Sequence, residues 1–130
     1  MLKYSRQRES ILNFLASRTD HPTAETIYLN IKKDFPNISL GTVYRNLSLL
    51  EEIGQIIKIS TGSGPDHYDF NTAPHYHFIC RACDRVMDID MDFENSLLEE
   101  VKGATDLNVE SCLVSFTGLC PECTKKNSNN

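Results

Sequence analysis

"NISLGTVYRNLSLLEEIG", residues 37–54, is where the fold is decided. Val43, Leu47 and Leu50 fall at i, i+4 and i+7, which puts them on one face of a helix. Ser39 stands where an N-cap accepts a free first-turn N–H. Gly54 stands where a left-handed glycine ends a helix. The spacing predicts a helix from Leu40 to about Ile53 with an apolar stripe facing a core. Thr42, Arg45 and Ser48 lie off that stripe, and Tyr44 lies near its edge.

Upstream, "SRQRESILNFLAS" (5–17) carries Ile11, Phe14 and Leu15 at helical spacing. In "HPTAETIYLNIKKDFP" (21–36), Thr23 is an N-cap candidate and Ala24, Ile27, Tyr28 and Ile31 form a second stripe. Pro36 is expected to stop that helix. Downstream, "QIIKISTGSGPDHYDF" (55–70) reads as two short strands around the turn TGSGPD. Three helices followed by a β-hairpin is the winged helix-turn-helix pattern. The helix from Leu40 is then the recognition helix, offering Thr42, Tyr44, Arg45, Asn46 and Ser48 to phosphates and base edges. A generic three-helix core with a solvated polar face fits the same pattern, because that face holds a single arginine.

A length of 130 residues bounds the chain to one domain or two very small ones. Both charge signs are spread along it, which excludes a disordered tail protein. No apolar run approaches the ~18 to 20 residues of a membrane helix. The opening "MLKYSRQRES" lacks the apolar core of a secretory signal. A soluble, cytoplasmic protein with no membrane contact is expected. Residues 1–60 hold eight Lys/Arg against six Asp/Glu, and residues 61–130 hold five against twelve. A mildly basic first half suits a polyanion, and an acidic second half suits cations.

"FNTAP" (70–74) marks a linker, giving a winged-helix domain at 1–70, a hinge at 71–74 and a second domain at 75–130. There, "HYHFIC" and "RVMDI" read as strands. "MDFENSLLEEVKG" reads as a helix capped by Asp92, with Phe93, Leu97 and Val101 on one face. "LNVESCLVSFTGLC" reads as a third strand, and the tail "TKKNSNN" as frayed. The fold class is α+β.

Four of the five cysteines form two C-x-x-C pairs, Cys80/Cys83 and Cys120/Cys123, each at a predicted strand end. In a cytosolic chain such pairs bind metal or do redox chemistry rather than form structural disulfides. Four thiolates suit tetrahedral zinc. A lobe of ~55 residues also buries too little core to stand without a staple. A dithiol switch or an Fe–S cluster would use the same residues. Cys112, on the face of Val114 and Phe116, reads as a core cysteine.

His75 and His77 are two apart on a strand, so both rings point the same way. Asp69 lies just upstream and Asp88 in the next strand. Imidazoles with carboxylates suit Fe(II), Mn(II) or Zn(II). Singly, His21 reads as a surface loop residue, and Asp88, Asp90 and Asp92 as a solvated acidic edge.

Together, "HPTAETIY", "FPNISLGTVYRNLSLLEEIG", "YDF", "HYHFIC", "CRAC", "VMDID" and "CPEC" resemble the ferric uptake regulator (Fur) family of metal-dependent repressors, most closely its peroxide-sensing PerR branch. The resemblance spans nearly the whole chain. It implies an N-terminal winged-helix DNA-binding domain, a small C-terminal αβ dimerisation domain, and an intracellular homodimer on a palindromic DNA operator. It implies structural Zn2+ on Cys80, Cys83, Cys120 and Cys123, and a regulatory Fe2+ or Mn2+ on His21, Asp69, His75, His77 and Asp88. Aspartate at 88 resembles the peroxide sensors, whereas many iron sensors have glutamate there. The window 72–90 thus serves two metals. The branch implies that H2O2, reduced at Fe(II), oxidises His21 or His75 and releases DNA; no other small-molecule substrate and no enzyme turnover is expected.

Relatives often carry a short helix ahead of the SRQRESIL segment, which this chain is expected to lack, with consequences for operator affinity. The third metal site of iron-sensing relatives falls on Pro74, Tyr76 and Cys112, so no complete third site is expected. His67, two residues before Asp69, is a substitute-ligand candidate outside the family pattern. The alternatives are an iron or manganese availability sensor of the same family, a non-haem iron enzyme using two histidines and a carboxylate, and a thiol switch.

Overall fold

In the computed structural model, which describes residues 3–62, 64–92, 96–110 and 112–128, the chain divides into two units, Met1–Thr72 and Ala73–Asn130. In the first, α1 (Arg6–Ala16), α2 (Ala24–Ile31) and α3 (Leu40–Glu52) precede a hairpin of β1 (Ile57–Ile59) and β2 (His67–Asp69). Each helix begins where a hydroxyl accepts a first-turn N–H: Ser5 from Arg8, Thr23 from Thr26 and Ser39 from Thr42. Such caps contribute about 1 kcal/mol each. The three apolar stripes meet in one core. Ile11 and Leu15 come from α1, Ala24, Ile27 and Ile31 from α2, and Val43, Leu47 and Leu50 from α3. Ile38, Ile56 and Tyr68 close it, with Phe14, Tyr28 and Phe35 packed around it.

Two helix ends show different physics. Helix α2 stops at Ile31, well before Pro36. Its last turn tightens into i→i−3 bonds, Lys33 N–H to the Asn30 carbonyl (3.3 Å) and Asp34 N–H to that of Ile31 (3.0 Å). Phe35, ahead of a proline, is disfavoured in the α region. Helix α3 instead ends in a Schellman motif. Gln55 N–H reaches the Leu50 carbonyl (2.9 Å), Gly54 N–H reaches that of Glu51 (3.0 Å), and Gly54 has φ 80°. A Cβ at Gly54 would meet nothing within 4 Å. The Gly54→Ala variant therefore loses stability through the backbone alone, by roughly 1–2 kcal/mol, read as a lower urea midpoint of the helical signal at unchanged slope.

The hairpin is antiparallel, with Ile57 opposite Asp69 and Ile59 opposite His67. It also draws in the loop ahead of α2: Tyr68 N–H donates to the Pro22 carbonyl (3.0 Å), and Thr23 bridges to His67.

In the second unit β3 (Tyr76–Cys80) is central, antiparallel to β4 (Val86–Ile89) and parallel to β5 (Val114–Gly118). Along β3, His77 and Ile79 leave one face, and Tyr76, Phe78 and Cys80 the other. Helix α4 spans Ser96–Ala104 and α5 spans Pro121–Ser128. Two expectations change here, the third strand and the tail. The third strand begins at Val114 rather than Leu107, because its pairing with β3 starts at Tyr76↔Val114; Cys112 thus precedes the strand and is only partly buried. Leu97 is 55% exposed and α4 buries no described residue; Phe93 lies outside the described residues. The tail is helical through Ser128. It starts on a proline, which suits a first helical position, with Glu122 in the first turn and Lys125 and Lys126 in the last. No helix among the described residues is long and apolar enough to cross a membrane.

Candidate metal centres

The sulfur cluster is built by β-pairing. The β3–β4 connection is a tight knuckle: Cys80 N–H donates to the Arg85 carbonyl (2.9 Å), Asp84 N–H donates to that of Cys80 (2.8 Å), and Asp84 turns left-handed at φ 61°. Cys83 sits in that turn. The parallel register Cys80↔Gly118, with Arg81 N–H on the Gly118 carbonyl (2.8 Å), delivers Cys120 beside Cys80. Cys123 follows from the first turn of α5. The four sulfurs lie within 4.8 Å of one another. All are free thiols, and Cys83 and Cys120 are 3.9 Å apart. A tetrahedral site with Zn–S near 2.3 Å has edges of about 3.8 Å, so the donors fit zinc in kind and spacing.

Their protonation is uneven. The Cys120 backbone N–H, 3.4 Å from the Cys80 sulfur, pulls that thiol down to about 6, helped by the N–H groups of Cys83 and Ala82. The Cys120 thiol pushes Cys123 up to about 12. A cation must displace the remaining protons, which makes its affinity pH-dependent. At the rim, the Cys120 thiol (3.5 Å) and the Arg85 guanidinium (2.9 Å) hold the Glu122 carboxyl below the usual range.

The expected nitrogen–oxygen donors lie in both units. In the C-terminal unit, Asp88 stands opposite His77 in the β3–β4 ladder. His75 directly precedes β3. Asp88 Oδ1 is 3.0 Å from His75 Nε2 and 3.6 Å from His77 Nε2, with ring centroids 4.2 Å apart. His75 donates through Nδ1 to the Ala73 carbonyl (2.7 Å), which presents Nε2 to the site. His77 is buried, while Asp88 is half-exposed.

In the N-terminal unit, His21 Nε2 lies 3.1 Å from Asp69 Oδ2, and both residues are buried, at 2% and 7% exposed. Asp69 Oδ1 accepts the Asn71 N–H (2.9 Å), which orients the carboxylate. His21 has φ 54°, a region costly for most residues other than glycine. Its burial excludes the surface-loop reading of His21. His67 does not join this pair as a donor; its Nδ1 lies 2.6 Å from the His21 carbonyl oxygen. The 67/69 alternation hinted at a shared face, but which carbonyl His67 meets depends on the tertiary pairing of the Pro22 loop with β2.

On α3, Tyr44, Arg45 and Ser48 are exposed and, with Leu49 and Glu52, line a shallow surface. Thr42 and Asn46 are half-buried and partly engaged within the helix. Thr42 Oγ1 accepts from Arg45 (3.0 Å), and Asn46 donates to the Thr42 carbonyl (3.0 Å).

Known proteins resemble this chain in sequence and in fold. The family model described as "Ferric uptake regulator family" matches residues 1–117. The peroxide-responsive repressor PerR of Staphylococcus aureus strain Mu50 is 36% identical over 125 residues, covering 96% of this chain and 84% of that protein. The Helicobacter pylori ferric uptake regulator Fur, a protein with three functional metal-binding sites, aligns with TM-score 0.78 at 27% identity, over 95% of this chain and 83% of that one. The Campylobacter jejuni peroxide stress regulator aligns with TM-score 0.68 at 32% identity, over 90% and 88%.

Proposed function

The chain belongs to the ferric uptake regulator family, and from that premise we propose that it is a metal-dependent DNA-binding repressor that senses hydrogen peroxide. The proposal stands on how the nitrogen and oxygen donors are divided. His21 and Asp69 belong to the winged-helix unit, and His75, His77 and Asp88 to the other. Neither set alone completes an octahedral ion. One Fe2+ or Mn2+ held by all five would join the two units, while Zn2+ on the four cysteines acts as architecture.

With both units joined, a homodimer presents its two α3 helices at half-site spacing on a palindromic operator. Thr42, Tyr44, Arg45, Asn46 and Ser48 meet the DNA. The exposed Leu97, Leu107, Leu113 and Phe116 of the second unit supply apolar surface for the partner copy. Metal and DNA binding are then reciprocal, each tightening the other by ~5- to 150-fold. The setting is the cytoplasm, where DNA and reduced iron coexist.

Fe2+ held by these donors would supply the reducing power for peroxide, which Mn2+ would not. At the protein, one oxygen atom enters a ring C–H of His21 or His75, one H2O2 is consumed, and one water is released. The altered imidazole no longer ligates well, the units uncouple, and repression ends. Each event alters the protein itself, so this is a regulator and not an enzyme.

The test loads zinc-replete protein with Fe2+ or Mn2+ and adds near-stoichiometric H2O2. Operator binding and peptide masses are then measured. Expected is loss of DNA binding in the iron form only, with one oxygen gained on the His21 or His75 peptide. Retention of DNA and unmodified histidines in both forms would overturn peroxide sensing and favour an iron or manganese availability sensor.

A further inference from the structure

His67 stands outside the five-residue donor set, yet its ring reaches the backbone of a member of that set. Its Nδ1 is 2.6 Å from the His21 carbonyl oxygen. A carbonyl only accepts, so Nδ1 carries the proton and donates. His67 opens β2 and Asp69 closes it, so both side chains leave one face of the strand. That strand grips His21 at two points: Asp69 Oδ2 meets Nε2 of its ring at 3.1 Å, and His67 meets its backbone.

The backbone grip matters because His21 is left-handed, at φ 54°. Rotation about this residue would swing the ring away from Asp69. The Tyr68-to-Pro22 bond and the Thr23–His67 bridge hold the chain after His21; His67 holds the His21 carbonyl itself. We infer that His67 is a positioning residue for the regulatory ion, its Nδ1–H fixing the His21 peptide in the conformation that keeps Nε2 beside Asp69. It acts through His21 and not as a ligand. The inference rests on the reading of His21 as a metal donor.

The test compares His67→Asn, His67→Gln and His67→Phe in the full-length, zinc-loaded protein. The side-chain nitrogen of asparagine occupies the place of Nδ1, whereas that of glutamine occupies the place of Nε2. Free Mn2+ is followed by its paramagnetic resonance signal, and the ligand geometry by the visible bands of Co2+. The wild type is expected to take up Mn2+. His67→Phe and His67→Gln should weaken uptake about 10- to 100-fold, the range for groups that orient metal ligands, with altered Co2+ bands. His67→Asn should restore both. Zinc content and the melting temperature of the manganese-free protein should stay level across the series, which separates positioning from general damage. Should the phenylalanine variant not fold, the Asn/Gln pair decides alone. Wild-type uptake in His67→Gln, or an Asn variant no better than Gln, overturns the inference while leaving the proposed function standing. If His21→Ala binds Mn2+ as the wild type does, the donor assignment itself falls, and this inference with it.

Discussion

Cys80→Ser is expected to abolish zinc binding and unfold residues 73–130 while residues 3–62 keep their helices. The asymmetry follows from what each unit buries. Among the described residues, eleven buried hydrophobic side chains form the core of the first unit. In the second, the buried aliphatic side chains among the described residues are Ile79 and Val86, beside Cys80, Cys120 and His77. A lobe of that size cannot offset its chain entropy with so little apolar burial. Structural zinc contributes on the order of 10–16 kcal/mol of apparent binding free energy, more than the whole stability of most small domains. Cys80 is the sulfur that accepts the Cys120 backbone N–H, so serine removes a thiolate donor at the point where the two C-x-x-C pairs meet. Amide exchange with metal analysis reads the result: β3–β5 amides lose protection as zinc falls to background, and α1–α3 amides do not. Protected β3–β5 amides in zinc-free protein would show that the sulfur cluster is not the staple.

The second large effect is confined to the other metal. Asp88→Asn keeps side-chain size but removes the charge shared by His75 and His77 through Oδ1 at 3.0 and 3.6 Å. Orienting groups around metal ligands already count for 10- to 100-fold in affinity. Loss of the proposed carboxylate ligand should reach on the order of 100-fold for Mn2+, or about 2.8 kcal/mol. Asp88 is half-exposed, so the fold should be nearly indifferent. Calorimetric titration should show weak Mn2+ binding beside full zinc content, with operator affinity at fixed Mn2+ reduced in step. Unchanged Mn2+ affinity would remove Asp88 from the ligand set.

Much of this was legible in the residues because it is local. Val43, Leu47 and Leu50 face the core at 0–1% exposure, and Gly54 ends the helix at the position its type demands. The His-x-His and C-x-x-C spacings needed only the strand alternation and the knuckle turn. What could not be read was non-local. Nothing in "LNVESCLVSF" reveals that pairing starts at Val114, because the register is set by β3, almost forty residues earlier. The helical tail was obscured by its polar composition, although Pro121, Glu122 and the two lysines carried the end signals. The spacing of His67 from Asp69 is plain in the sequence, but the carbonyl it meets lies 46 residues away in sequence.

The alternation along β3 has a consequence for metal fidelity. His77 and Cys80 are an odd number of residues apart, so the pleat sends the imidazole and the thiol to opposite faces of one sheet. The His77 ring and the Cys80 thiol therefore lie on opposite sides of the sheet and do not serve one ion. The Cys80 thiol cannot turn into the imidazole chamber to capture a thiophilic ion there. The three-residue offset adds distance to parity, since about 10 Å of strand separates the two side chains.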